Sequence, residues 1–135
     1  MLRKFKGISP DIDPKAHVFE SADVIGMVKM KEFASVWPNC TVRGDVNRIE
    51  IGRYSNIQDN SCLHVADRYA CIVGDYVTVG HCATLHACTI EDHVLIGMGS
   101  VGGDPDILHY NLTWYSFINT DRRHKTHGSG IKDCY

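Results

Sequence analysis

Aliphatic residues return at every sixth position through much of this chain: Ile51, Ile57 and Leu63, then Val73, Val79 and Leu85. Val36 and Val42 carry the frame toward the N-terminus, as do Val18 and Val24, and Ile90 and Ile96 follow after a slip of one residue. Glycine often comes next, as in Ile25-Gly26, Ile51-Gly52, Val73-Gly74, Val79-Gly80 and Ile96-Gly97. A six-residue period is too short for a helix pair and too regular for a meander. It predicts a parallel β-helix, in which short strands turn a corner every six residues and three sides make one coil. Each frame residue points into the coil, and the glycine beside it is expected to permit the tight corner. Coils then stack at the ordinary strand spacing of about 4.8 Å. A sandwich would instead show alternation at every second residue and a turn signal every eight to twelve, and neither is present.

Composition narrows the setting. A chain of 135 residues is the size of one domain. A net charge of −2 offers no basic stripe, so nucleic acid is not an expected partner. The opening "MLRKFKGISPDIDP" leads into no apolar run, and no segment reaches the length of a membrane span. The expectation is a cytoplasmic protein with no membrane partner. Cys40, Cys62, Cys71, Cys82, Cys88 and Cys134 form no CxxC pair and read as reduced thiols, most of them in aliphatic positions. A zinc site built from cysteines is the lesser alternative.

The frame also puts the histidines in order. Ten residues separate Leu63 from Val73, so "VADRYA" is expected to bulge from a corner by four. Leu63 and Leu85 then fall one coil apart on one side, which stacks His64 beneath His86. His81 belongs to the preceding side, two places after Val79, and faces away from that pair within its own chain. A neighbouring subunit could bring its own His81 to the pair, giving three imidazoles and an open fourth position, an arrangement that suits catalytic zinc. Gln58 lies one rung below Gly80, beside His81, where a neutral amide can orient a metal-bound hydroxide without competing for the ion. Arg43 and Asp45, in "VRGDV", fall under His64, and at a subunit seam they could pair across it. Against all this stands the ordinary reading of a lone histidine in a strand as a packing or surface residue.

"VRGDVNRIEIGRYSNIQDNSCLHV", followed by "VGHCATLHACTIEDHVLIGMGS", resembles the γ-class carbonic anhydrases and their relatives over roughly residues 10 to 101. The resemblance implies an all-β fold, a left-handed parallel β-helix of hexapeptide repeats assembled as a homotrimer. It implies a lyase that hydrates CO2 reversibly to bicarbonate through metal-bound hydroxide at trimer interfaces. His64, His81 and His86 would be the metal ligands, holding Zn2+, or Fe2+ or Co2+ as in some members. Gln58 would orient the hydroxide, Asn56 would support it, and Arg43, Asp45 and Asp59 would form an ion-pair network beside the site. The loop "VADRY" is short, like that of the branch without an acidic loop, for which weak turnover is implied. A buffer molecule or His93 would then carry the proton, although His93 reads more simply as a surface turn residue.

After residue 101 the family pattern stops, and the expected division is a β-helix domain over 1–101 and an atypical tail over 102–135 in place of the family's usual C-terminal helix. Its segment "ILHYNLTWYSFI" is apolar enough to cover the open end of the coil or else stay unfolded. His109, His124 and His127 lie in that tail and receive no metal role. Two rival functions remain: a non-catalytic metal-binding or scaffold β-helix, and a hexapeptide-repeat acyltransferase with one histidine as base.

Overall fold

A computed structural model describes residues 1–103 and the backbone of residues 107–108 and 112–113. The described elements are all strands, and nearly all their pairing is parallel. The first side of the coil holds β1 (Leu2–Arg3), the front half of β4 (Asp23–Met30), the front half of β6 (Thr41–Ile51), β8 (Cys62–His64), β11 (Thr84–His86) and β14 (Val101–Gly103). The second side holds β2 (Asp11–Ile12), the back halves of β4 and β6, β9 (Cys71–Val73), β12 (Thr89–Ile90) and β15 (Ile107–Leu108). β3 (His17–Val18), β5 (Ser35–Val36), β7 (Asn56–Ile57), β10 (Thr78–Val79), β13 (Leu95–Ile96) and β16 (Leu112–Thr113) stack on the third. This is a left-handed parallel β-helix of the hexapeptide-repeat kind, as the period predicts.

The core is the frame itself. Val24, Val42, Leu63 and Leu85 form one inward column, Met30, Ile51, Val73 and Ile90 a second, and Val36, Ile57, Val79 and Ile96 a third, all buried. Each large aliphatic side chain taken from water contributes roughly 1.5–3 kcal/mol. Cys40, Cys71 and Cys88 are buried in the same core, in keeping with their aliphatic positions. The hydrogen-bonding contact with Cys88, and burial after it, keep the Cys71 thiol well above its usual pKa, so it stays neutral.

Corners are made differently from the sequence expectation. The positive φ that a tight corner needs is taken three places after the frame residue, and mostly not by glycine. Phe33, Tyr54, Tyr76 and His93 hold φ between 57 and 61° at the corner joining second and third sides, and Asn39, Asn60 and Cys82 do so where the third meets the first. Gly52, Gly74 and Gly80 are needed instead because the neighbouring coil passes too close for a side chain. A Cβ on Gly74 would lie 2.7 Å from the carbonyl carbon of Glu91, and one on Gly80 would lie 2.8 Å from the amide nitrogen of Met98. The aromatic corner forms a ladder, Phe33 on Tyr54 at 4.8 Å, Tyr54 on Tyr76 at 5.1 Å and Tyr76 on His93 at 5.0 Å between ring centroids. Stacking offsets part of the strain of a left-handed backbone at non-glycine residues.

The third corner, where the first side meets the second, is irregular. From Gly44 to Ile49 the chain makes an excursion, visible as a register break opposite Gly26 and Val28. One coil higher the bulge expected in "VADRYA" is present, closed by reciprocal bonds between Ala66 and Tyr69 of 3.0 and 3.2 Å. Asn47 in the lower excursion donates to the carbonyls of Ala66 and Asp67, so the two bulges brace each other. Pairing continues beyond the expected boundary at residue 101, since β15 pairs with β12 and β16 with β13. Apart from the backbone of β15 and β16, the segment "ILHYNLTWYSFI" and the capping role expected of it, with His109, His124 and His127, lie outside the described residues.

Candidate metal centre

The histidine register is as the frame requires. Leu85 pairs with Leu63 and His86 with His64, and Val42 pairs with Leu63, which places Arg43 under His64. The two rings meet, with Nδ1 of His64 3.3 Å from Nδ1 of His86. Nε2 of His64 lies 3.0 Å from Oδ1 of Asp45, whose other oxygen is paired with Arg43 in the same chain. The excursion after Gly44 makes this geometry: it lifts Asp45 out of its own rung toward the ring above. Burial raises the Asp45 carboxyl, but the hydrogen bond from His64, its backbone and the Arg43 charge outweigh it and hold the group below the usual carboxylate range.

His81 stands apart, at the corner between third and first sides. Its Nδ1 lies 3.1 Å from Oδ2 of Asp59, directly one coil below. Ser61 fixes that corner from within. Its buried hydroxyl donates to the carbonyl of Gly80 at 3.0 Å and accepts from the amide of Ala83 at 3.2 Å, bracketing His81 and Cys82. Val79 pairs with Ile57, so Gln58 sits under Gly80, and His81, Gln58, Asn56, Asp59, Ser35 and Trp37 line one recess of ≈410 Å³. Asn56 is fixed there by donating from Nδ2 to Thr78 Oγ1 at 3.0 Å. His93 sits at the aromatic corner, stacked on Tyr76, away from both groups.

Of the side chains that line the recess or fix its walls, sequence reasoning misses Ser35, Trp37, Ser61 and Thr78. Trp37 follows Val36 as Gln58 follows Ile57, and that shared place in the frame is the signal that could have found it.

Among the described residues of a single chain, no three His, Cys, Asp or Glu side chains gather closely enough to hold an ion. The parts nonetheless fit one. Nitrogen ligands at about 2.0–2.1 Å from a tetrahedral ion stand about 3.3 Å from each other, which is the separation of the two Nδ1 atoms. Both His64 and His81 hand their other ring nitrogen to a carboxylate, the usual support of a metal-ligating imidazole. Which nitrogen carries the proton follows from these partners: Nε2 of His64 and Nδ1 of His81 donate, leaving Nδ1 and Nε2 respectively with a lone pair.

Scanned against models of known families, the chain matches none. It is 47% identical over 98 residues to the gamma carbonic anhydrase 1, mitochondrial, of Arabidopsis thaliana, covering 68% of this chain and 36% of that protein. It is 45% identical over 89 residues to a probable carbonic anhydrase of Methanocaldococcus jannaschii, covering 66% of this chain and 56% of that one. The chain thus spans between about a third and somewhat over half of these relatives' length. Among solved structures, a putative acetyltransferase of Bacillus cereus superposes with a TM-score of 0.75 at 39% identity, over 76% of this chain and 60% of that one. With the register, the paired rings and these likenesses together, the chain is a γ-carbonic-anhydrase-like hexapeptide-repeat protein.

Proposed function

We propose that this protein is a zinc-dependent carbonic anhydrase whose sites are shared between the subunits of a homotrimer. The observation that carries the reading is the division of the ligand set: a pair of rings at ligand spacing on one side of the prism, and a third, carboxylate-backed ring at another corner. His64 and His86 of one chain with His81 of the next would hold Zn2+, with Fe2+ or Co2+ as alternatives of similar preference for imidazole. When bound, such an ion supplies Lewis acidity, making water acidic enough to be a nucleophile near neutral pH.

The chain's own residues do the rest. Asp45 and Asp59 each accept a ring N–H and so fix tautomer and orientation of His64 and His81. Gln58, a neutral amide on the floor of the recess, orients the attacking oxygen toward the CO2 carbon, and Asn56 stands beside it. Hydration of CO2 yields bicarbonate and one proton, which passes to buffer. His93, stacked at the far corner, is poorly placed to take it.

The acyltransferase alternative draws on the name of the Bacillus cereus neighbour and requires one histidine base with a coenzyme A groove. The mutual contact of His64 and His86 favours the metal reading. Neither reading fixes the compartment: none of the described elements is a helix that could cross a membrane, and the Arabidopsis relative is named as mitochondrial.

Complementation tests the shared site. His81→Ala and His86→Ala should each abolish CO2 hydration and bound zinc. Co-assembled at equal amounts, they should recover both at roughly a quarter of the sites, because some interfaces then join an intact pair to an intact His81. An active protomer, or mixed assemblies with no recovery, would overturn the proposal.

A further inference from the structure

We infer that Trp37 is a specificity residue of this site: its indole is the apolar wall that holds neutral CO2 in the recess and gives bicarbonate nothing to bind. The inference rests on the carbonic anhydrase reading and adds a residue to it. Val36 pairs with Ile57 and the Trp37 amide donates to the Ile57 carbonyl at 2.9 Å, so Trp37 lies one rung directly beneath Gln58. The ring is not free to swing. Nε1 donates to Ser35 Oγ at 3.1 Å, and the His17 ring packs on it at 5.9 Å between centroids.

Every other side chain lining the recess is polar: Ser35, Asn56, Gln58, Asp59 and His81. Trp37 is nonetheless 41% exposed, a large apolar surface left toward water where the frame would accept a small or polar residue, as Gln58 and Gly80 in the same column show. CO2 is linear, carries no net dipole and accepts hydrogen bonds weakly, so dispersion and desolvation against a flat ring are the main attraction a protein can offer it. Bicarbonate is an anion that loses hydration against such a wall, and the Asp59 carboxylate in the same recess repels it. One surface therefore favours the reactant over the product.

The test uses the full chain carrying Trp114→Phe, which leaves Trp37 as its one indole, in metal-stripped and zinc-loaded forms. Nitrous oxide, a neutral linear molecule isoelectronic with CO2, should change Trp37 fluorescence in both forms, and bicarbonate at equal concentration should change it far less. In the zinc-loaded assembly, Trp37→Ala should raise KM for CO2 about tenfold with kcat changed less than about threefold, and Trp37→Phe should recover most of the loss. Indifference of the indole to nitrous oxide, or unchanged KM in a Trp37→Ala assembly with full zinc, would overturn the assignment. A response of Trp37 to nitrous oxide in the zinc-loaded Trp114→Phe assembly, together with a wild-type assembly that hydrates no CO2, would uphold the wall and remove the reaction, so the two readings fail separately.

Discussion

The two halves of the candidate centre are built with different rigidity. The half on the first side is half-sunk and internally connected: the side chains of Asp45 and His64 are 15% and 23% exposed, and Arg43, Asp45, His64 and His86 form one chain of contacts. The half at the opposite edge is open, with His81 at 47% and Asp59 at 40%, joined by a single contact. Removing either carboxylate frees an imidazole nitrogen, but loss of the less exposed Asp45 also leaves the Arg43 guanidinium without its carboxylate. The first half is organised within one chain; the second stands open on that chain's own surface, where the proposed trimer would cover it.

That contrast can be broken at its foundation. Leu85→Ala beneath His86 should cost about 2–5 kcal/mol of folding stability and Val79→Ala near His81 less, read by denaturant unfolding of the assembly. Equal losses would mean that the two halves are supported alike. At the carboxylates, Asp45→Asn should weaken zinc affinity about 10–100-fold in chelator competition. Asp59→Asn, acting on an exposed pair, should weaken it only a few-fold. Reversal of that order would refute the difference in rigidity.

The smallest effect belongs to a carboxylate remote from both halves. Burial raises the Asp75 carboxyl, but hydrogen bonds from the backbone and guanidinium of Arg53, with the Lys31 charge, hold it below the usual range. A carboxylate depressed on folding stabilises above its unfolded pKa, and that stabilisation fades as pH falls through the lower folded value. Wild type and Asp75→Asn should therefore differ in thermal stability at neutral pH and converge only at pH values below the ordinary carboxylate pKa of about 4, where the folded-state carboxyl takes up its proton. Zinc affinity should not change. A change would show that the ion-pair network at Arg53 reaches the metal centre.

Much of this was readable from residues alone because a solenoid converts sequence spacing into position. Leu63 and Leu85 must both point inward, so His64 and His86 must stack, and the insertion between them changes nothing but the outline of one corner. Gln58 under Gly80 follows by the same rule. Other features escape it. That the left-handed corners are filled by Phe33, Tyr54, Tyr76 and His93 depends on stacking between coils, which no local propensity encodes. The reach of Asp45 to His64 depends on the path of an excursion outside the frame, and the internal clamp of Ser61 on hydroxyl geometry at a turn. Arg43 and Asp45, which by their place in the frame could pair across a seam, also touch each other within one chain, a contact the frame alone does not give.

The irregular corner has a use that the regular ones lack. At Ala66 and Tyr69 the backbone leaves the prism and returns through its own two-bond clasp, and the rungs on either side regain their alignment at once. Longer peptides spliced between those two residues would add only slowly growing closure entropy and leave the imidazole column undisturbed. The corner is thus a natural graft point, where a proton-relaying side chain or an affinity tag could be introduced beside the candidate centre without rebuilding the β-helix wall that supports it.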